Sequence, residues 1–196
     1  MTRATLLSLQ LLIVLGGNFI MWEDSTAHQP NLVGIQTQTT IQDPEVSKAY
    51  YGELAGKQAV YEIQCDSSFS LYVNLLVPDI PGARTDFSAD IYHEGQLLTR
   101  LDGSDYHWTT FYEPFGNDTY LQGPEYRSKV GPGAYRIEVT NNQNQGKYVL
   151  ATGELEKFPP KVILRTLMIL PKLKRDFFGK SLWLDPLSRI WRLLHH

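Results

Sequence analysis

The clearest alternation of apolar and polar residues runs through residues 131–140, which read Gly-Pro-Gly-Ala-Tyr-Arg-Ile-Glu-Val-Thr. Successive side chains of a β-strand point to opposite faces, so the alternation of Tyr135, Ile137 and Val139 with polar neighbours predicts one buried and one solvated face. A polar segment and a second apolar run, residues 147–153, follow directly. Together they predict two strands joined by a polar turn.

Short strands of the same kind are predicted at roughly regular spacing through the preceding part of the chain. They cover residues 32–41, 49–54, 59–65, 69–77, 87–93 and 96–101. In the fourth, one face carries Leu71, Val73, Leu75 and Val77 and the other carries Tyr72, Asn74 and Leu76. Pro78 ends that strand because proline cannot donate to a ladder of hydrogen bonds, and Glu94 and Gly95 favour a tight hairpin between the last two. Short strands with glycine and proline turns predict a mainly β fold, an antiparallel β-sandwich of the jelly-roll type.

The N-terminal segment has the layout of a secretory signal peptide, because Arg3 precedes an apolar run over residues 6–15. Small residues further on predict cleavage after Ala27, so that the mature chain begins at His28. An uncleaved membrane anchor is the alternative, but the run is about half of the ~20 residues that a span needs. Residues 1–27 are therefore predicted to be a signal peptide, and the protein is predicted to be exported, periplasmic or extracellular.

Charge divides the chain into an acidic body and a basic tail. Residues 28–156 contain 8 Lys and Arg against 17 Asp and Glu, a net charge of −9, whereas residues 157–196 contain 9 against 2, a net charge of +7. Proteins that bind nucleic acid carry a basic footprint, so the acidic body argues against that partner. The predicted organisation is a β-sandwich domain over residues 28–157 and a C-terminal α-helical tail over residues 158–196.

The tail is predicted to form basic amphipathic helices. Pro160 can open the first, since proline is tolerated in the first turn, and Pro171 is expected to kink or end it. On a helical wheel the apolar side comprises Val162, Ile163, Leu164, Leu167, Leu170 and Leu173, and the basic side comprises Lys161, Arg165, Lys172 and Arg175. A second such helix is predicted after Asp185, with Trp191 on its apolar face.

Three partners suit such a tail. Its apolar side could dock on the protein's own sandwich, whose charge is opposite, or on another protein of the cell envelope. The third partner is a bilayer surface, since a basic helix with leucine and tryptophan on its apolar side binds anionic lipid. In that case Leu167, Leu170, Trp183 and Trp191 are the predicted membrane contacts, and the protein is peripheral on the outer face of the cytoplasmic membrane.

The longest loop region, residues 102–120, is where a ligand site is most naturally expected, because binding residues gather on loops that a rigid scaffold holds. The candidates for stacking on a glycan ring are Tyr106, Trp108, Phe111 and Tyr112. The alternative is that these aromatic rings close the open end of the sandwich by burying themselves there.

Oxygen donors in the same region predict a calcium site, which is the one cofactor candidate there. The candidate ligands are Asp102, Asp105, Asn117 and Asp118, with Glu113 as a further candidate. Calcium needs six to eight oxygens at once, so only ligands gathered by the tertiary fold would suffice. Asp and Asn also favour turns, which explains the same residues without a metal.

His28 carries a second metal hypothesis. If the signal peptide is removed, the new amino group and the imidazole of His28 can chelate copper together, because copper favours nitrogen ligands. His93 or His107 would have to supply a further ligand. Apart from these two metals, no cofactor is expected.

Common enzyme motifs are absent from the sequence. It contains no Gly-x-Ser-x-Gly elbow, no His-Glu-x-x-His pair and no Cys-x-x-Cys pair. Cys65 is the one cysteine, so no disulfide can form within the chain, and we expect it to be a small residue in a strand. We therefore expect a protein that is not an enzyme.

The strands at the two ends of the body resemble a known type of module. Residues 132–140 and 146–150 resemble the closing strands of bacterial pre-peptidase C-terminal domains, and residues 49–54 and 58–63 resemble the opening ones. The resemblance extends over about residues 28–155. It implies a jelly-roll module of an exported protein, of the kind that is usually attached to secreted enzymes and sometimes assists substrate or surface binding.

The function predicted from these features is that of an exported, non-enzymatic β-sandwich that acts at the cell envelope as a binding or structural module. The basic tail would hold it at a membrane surface. The alternative is a small-ligand binder, of calcium, copper or a glycan, that uses residues 102–120.

Overall fold

The structure is a computed structural model that describes residues 28–113 and 117–180. Eleven strands and one α-helix lie within that part of the chain. The strands are β1 (Gln29–Gly34), β2 (Gln38–Thr40), β3 (Lys48–Ala55), β4 (Ala59–Cys65), β5 (Phe69–Pro78), β6 (Ser88–His93), β7 (Gln96–Asp102), β8 (Thr109–Glu113), β9 (Asp118–Val130), β10 (Gly133–Thr140) and β11 (Gln145–Thr152). The helix is α1 (Pro160–Lys172), and a π-helical turn, Leu173–Phe177, continues it.

The strands form two sheets, which confirms the predicted β-sandwich. The six-stranded sheet has the order β1-β3-β11-β5-β9-β8, and the five-stranded sheet has the order β2-β4-β10-β6-β7. Strand pairing is antiparallel except at one edge of each sheet, where β1 runs parallel to β3 and β2 runs parallel to β4. Both sheets are therefore mixed, and the expected antiparallel pattern holds for their interiors.

The strand predicted over residues 32–41 is in fact two strands that belong to different sheets. β1 borders the six-stranded sheet and β2 borders the five-stranded one. Gly34 ends β1 with a φ of +57°, a backbone conformation that glycine adopts without a steric cost. The chain can therefore leave one sheet for the other within a few residues.

Part of the region predicted as a loop, residues 102–120, is also strand. β8 and the start of β9 lie within it and pair with each other, and β9 pairs along its other side with β5. The irregular sequence of this region hid both strands, and one partner of β9, the strand β5, lies far away along the chain.

The core between the two sheets is apolar and continuous. The face of β5 that carries Leu71, Val73, Leu75 and Val77 lies in it, and each of these side chains is fully buried. Tyr135, Ile137 and Val139 of β10 enter the same core from the opposite sheet, as their alternation predicted.

The six-stranded sheet also buries its outer face, which forms a second core. Ala49, Tyr51, Leu76, Tyr120, Val149 and Ala151 of the sheet pack there against Leu173, Phe177 and Phe178 of the tail. The tail therefore docks on its own sandwich, which is one of the three partners that the sequence left open. Burial on both faces explains why β5 is almost continuously apolar and why residues 148–151 of β11 form an unbroken apolar run.

The start and the end of α1 follow from its prolines. Pro160 occupies its first turn, where the missing N–H costs nothing. Pro171 lies in the last turn and cannot donate a backbone hydrogen bond there, and the chain widens into the π-helical turn immediately afterwards. No helix in the described ranges is both long enough and apolar enough to cross a membrane.

Several predictions fall on residues outside the described part of the chain. These are the signal peptide over residues 1–27, the second helix after Asp185, and the membrane contacts Trp183 and Trp191.

Candidate functional site

A cavity of about 170 Å³ lies between α1 and the outer face of the six-stranded sheet. Every strand of that sheet contributes to its wall, for example through Pro30, Ala49, Ala151, Leu76, Tyr120 and Phe111. The roof is formed by the side of α1 that carries Ile163, Thr166 and Leu170, and by Leu173. Most of the wall is therefore apolar.

The cavity exists because β3 and β11 place small residues opposite each other. Ala49 and Ala151 are direct partners in the register of these two strands. Their side chains are a single methyl group each, and both contribute to the outer face of the sheet beneath the helix. Larger residues surround them, so α1 rests on its neighbours and leaves space above the alanine pair.

One end of the cavity carries a buried carboxylate, that of Asp118 at the start of β9. Its side chain is 1% exposed, and its Oδ1 atom accepts hydrogen bonds from Lys174 Nζ at 2.9 Å and from Lys180 Nζ at 2.7 Å. These two ammonium groups tie the tail to the sheet. The second oxygen, Oδ2, is buried without a hydrogen-bond partner among the described residues.

The other end of the cavity is bordered by His28. Its Nδ1 atom lies 2.6 Å from Ser47 Oγ, and Ser47 is fully buried. Burial lowers the pKa of the His28 imidazole to about 4, so the ring is neutral at pH 7. A neutral imidazole keeps one donor and one acceptor nitrogen.

The predicted copper ligands are not gathered around His28. His93 belongs to β6 of the other sheet, where its ring stacks on Tyr135 with 4.4 Å between the ring centroids. His107 lies in the loop between β7 and β8. Copper at His28 stays a prediction, and it would need a ligand other than His93.

The predicted calcium ligands are divided between the two sheets. Asp102 ends β7, where its Oδ1 atom accepts hydrogen bonds from Ser104 N at 3.0 Å and Ser88 Oγ at 3.3 Å. These contacts hold the pKa of Asp102 below its usual value. Asp105 is in the following loop, whereas Asn117 directly precedes β9 and Asp118 begins it, beside the tail. Across the described ranges no three His, Cys, Asp or Glu side chains are placed to hold a metal ion, and the calcium site stays a prediction.

The four aromatic candidates for ligand binding also have different surroundings. Trp108 is half-buried, and its Nε1 donates a hydrogen bond to the carbonyl oxygen of Gly103 at 2.8 Å. Its ring covers Gly103 and Gly123 so closely that an added Cβ would lie within 2.7 Å of it at both positions. Trp108 thus packs against the core between the two sheets.

The other three aromatic candidates make different contacts from those of Trp108. Phe111 packs against the second core and borders the cavity. Tyr106 and Tyr112 are 45% and 49% exposed, and the Tyr112 hydroxyl donates a hydrogen bond to Asn117 Oδ1 at 2.7 Å. A glycan site on this loop stays a prediction, now limited to the two exposed tyrosines.

The helix α1 presents a second feature of interest on its outer side. Leu164, Leu167 and Met168 are 60%, 56% and 66% exposed, and we call these three residues the apolar strip. Exposed basic residues lie beside it on the same helix, namely Lys161, Arg165 and Lys172. Of the predicted membrane contacts, Leu167 is therefore on the surface, whereas Leu170 is half-buried against the sheet and borders the cavity.

The docked face of α1 overlaps only in part with the apolar side that the helical wheel predicted. Ile163, Leu170 and Leu173 belong to both, whereas Leu164 and Leu167 are exposed. The docked face centres on Thr166, with Ile169 and Leu173 one and two turns further on. Spacing of three and four residues between these positions is that of one helix face, and it was readable from the sequence. The polar Thr166 obscured it.

Comparison with known proteins gives weak matches. No family profile matches the chain, and no curated protein matches it. Among solved structures, the pre-peptidase C-terminal domain of collagenase from Bacillus anthracis is similar, with 14% identity and a TM-score of 0.36 over 66% of this chain and 98% of that chain. A β-glucosidase from Paenibacillus barengoltzii is similar over 66% of this chain and 14% of that chain, with 12% identity and a TM-score of 0.26. The first is a domain of the type that the strand motifs resemble, and the match is weak.

Proposed function

We propose that this protein is an exported β-sandwich module that attaches to the surface of a membrane through α1. The observation that carries the proposal is the apolar strip, Leu164, Leu167 and Met168, on a helix whose opposite side is already docked on the sheet. A docked helix has no internal need for three large apolar side chains in water. A bilayer interface would bury them.

Charge favours an anionic membrane as the partner. Lys161, Arg165 and Lys172 flank the strip, and each basic residue near an anionic surface contributes about 1 kcal/mol to binding. The acidic body, with its net charge of −9 over residues 28–156, would be repelled by the same lipids. The two halves therefore favour one orientation, with α1 toward the membrane and the five-stranded sheet away from it.

The contacts beneath α1 would hold the strip in place before any membrane is met. Lys174 and Lys180 bind Asp118, and Lys147 Nζ donates hydrogen bonds to the carbonyl oxygens of Asp176 at 2.7 Å and Phe177 at 3.1 Å. A rigid binding surface loses less conformational entropy on binding than a free helix does.

The experiment is co-sedimentation with vesicles, using protein expressed from the whole sequence. Mass spectrometry first checks that the mature chain begins at His28, because a retained apolar leader would itself bind lipid. Vesicles of phosphatidylcholine alone are compared with vesicles that also contain phosphatidylglycerol. We expect binding to the anionic vesicles only, with release by added salt.

The informative variant is Leu167→Ser with Met168→Ser, which should weaken binding by about tenfold or more because the lost apolar burial is worth more than about 1.4 kcal/mol. Its matched control is Leu97→Ser with Leu98→Ser on β7, two residues that are 57% and 42% exposed on the five-stranded sheet. Equal loss in both variants, or binding that persists in the first, would refute the proposed attachment surface.

A further inference from the structure

We propose that the cavity beneath α1 is a binding site for an uncharged straight-chain aliphatic molecule that carries a hydrogen-bond donor at one end, such as an alcohol. This goes beyond the membrane attachment proposed above. The apolar strip is on the outer side of α1 and the cavity is on its inner side, so either proposal can fail without the other.

The shape of the cavity favours a chain over a compact ring. Its wall includes Pro30 of β1 and Phe111 of β8, which are the two edge strands of the sheet. Six strands spaced about 4.8 Å apart place those edges roughly 24 Å from each other. A cavity of about 170 Å³ that is lined from both edges of the sheet is therefore better matched by an extended molecule.

The walls favour an aliphatic body. The floor is formed by Ala49, Ala151 and Val149, and the roof includes Ile163 and Leu170. Apolar cavities of roughly 150 Å³ in proteins accept molecules with about six carbons. An aliphatic ligand would remove its own surface and that of these side chains from water.

The buried carboxylate of Asp118 assigns the polar end of the ligand. Asp118 borders the cavity, and its Oδ2 atom lacks a hydrogen-bond partner among the described residues although the side chain is 1% exposed. A buried acceptor without a partner is costly, and a hydroxyl donor on the ligand would satisfy it.

The charged groups at the Asp118 end of the cavity disfavour an ionised ligand. The Oδ1 atom of Asp118 already accepts hydrogen bonds from the ammonium groups of Lys174 and Lys180. A third cation at the same carboxylate would be repelled by these two, and an anion would be repelled by Asp118 itself and by Glu113, which also borders the cavity. A neutral donor avoids both penalties.

The test measures the affinities of five six-carbon probes for protein expressed from the whole sequence and purified without detergent. The probes are 1-hexanol, its isomer pentyl methyl ether, cyclohexanol, hexylamine and hexanoate. Binding is followed by NMR of alanine methyl groups, because Ala49 and Ala151 form the floor of the cavity. We expect 1-hexanol to shift both methyl signals and to bind roughly tenfold or more tightly than the ether, which cannot donate to a carboxylate.

Two variants locate the site. Ala151→Leu fills the floor and should abolish binding of 1-hexanol without lowering the thermal midpoint of the free protein, because it occupies existing space. Ala55→Leu adds the same bulk at an exposed position on β3 and should leave binding unchanged. Ala49→Val fills the same floor with a smaller change, and it replaces Ala151→Leu if that variant does not fold.

Each contrary outcome overturns a stated part of the proposal. Equal affinity for 1-hexanol and pentyl methyl ether would exclude the donor contact with Asp118. Tighter binding of cyclohexanol would exclude a straight-chain ligand, and tighter binding of hexylamine or hexanoate would exclude an uncharged one. Binding that survives in both floor variants, or no binding of any probe, would exclude the cavity as a site.

Discussion

The hydroxyl oxygens of Tyr61 and Tyr148 lie 2.9 Å apart in the core between the two sheets. Tyr61 belongs to β4 of the five-stranded sheet, and Tyr148 belongs to β11 of the six-stranded one. Both side chains are at most 1% exposed. Burial raises the pKa of Tyr148 to about 12 and that of Tyr61 well above its ordinary value, so this bond joins two neutral phenols across the sandwich.

Removing both of these hydroxyls should cost less than the two single removals added together. Tyr148→Phe leaves the Tyr61 hydroxyl buried without the partner that the structure gives it, and we expect a loss of about 1–3 kcal/mol in the free energy of unfolding. The double variant Tyr61→Phe with Tyr148→Phe should lose less than the sum of the two single variants. Urea denaturation of the four proteins gives the values, and strict additivity would contradict the pairing.

The Tyr148 ring occupies the space that a side chain at position 52 would fill, so this position requires glycine. Gly52 is the direct partner of Tyr148 in the register of β3 and β11, and a Cβ at Gly52 would lie 2.4 Å from the Tyr148 Cζ atom. Gly52→Ala should therefore cost about 1–3 kcal/mol, because a packed core cannot yield the space without strain.

The control for this prediction is Gly131→Ala, at a glycine with nothing within 4 Å of the added Cβ. It should change stability by no more than about 0.5 kcal/mol. If Gly52→Ala is equally mild in thermal denaturation, the close approach of the Tyr148 ring is not a constraint on this strand pair.

How far the sequence could predict these features depends on whether they are local. The alternation along residues 69–77 was enough to predict both faces of β5, because a period of two is imposed by the backbone alone. The separation of β1 from β2 was not predictable in this way. It depends on the positive φ of Gly34 and on parallel pairing with β3 and β4, which lie further along the chain.

The candidate site was harder to predict for the same reason. Ala49 and Ala151 have no distinctive pattern in the sequence, and they create a cavity only because β3 and β11 are neighbours in a register that opposes them. Asp118 was singled out as an oxygen donor, but its lysine partners come from the tail. The tail itself was recognised as amphipathic, but the polar Thr166 obscured which side of α1 docks on the sheet.

Asn74 is a buried polar residue of β5 that donates hydrogen bonds to a bulge in the neighbouring strand, β9. The register between β5 and β9 shifts between Asn74 and Leu76, and Asn74 Nδ2 donates to the carbonyl oxygens of Gly123 at 3.1 Å and Pro124 at 3.3 Å. Asn74→Asp has nearly the same shape but presents a carboxylate to two carbonyl oxygens. It should lose at least about 2 kcal/mol of unfolding free energy at pH 7.

The matched control is Asn142→Asp in the exposed turn between β10 and β11. It makes the same chemical change at the surface, where the effect should stay within about 0.5 kcal/mol. Chemical denaturation of both variants at pH 7 tests the comparison, and a similar small effect at the two positions would mean that Asn74 does not support the bulge.

His28 should make the stability of the protein depend on pH. Its pKa in the folded protein is about 4, whereas the unfolded value is 6.5, and the cause is burial. Between these two values the unfolded state binds more protons than the folded state, so the free energy of unfolding rises with pH in that window. As pH falls from 6.5 to 4, this contribution is lost, and its size is at most about 3 kcal/mol.

His28→Gln removes the titrating group and retains a polar side chain near Ser47. The pKa values of Asp86, Asp102 and Asp176 are also lowered, and these carboxylates destabilise the fold in acid equally in both proteins. The informative quantity is thus the difference between the wild-type and variant curves of unfolding free energy against pH. We expect that difference to change between pH 6.5 and pH 4 and to be flat above, and parallel curves throughout would show that His28 is not desolvated at the cavity.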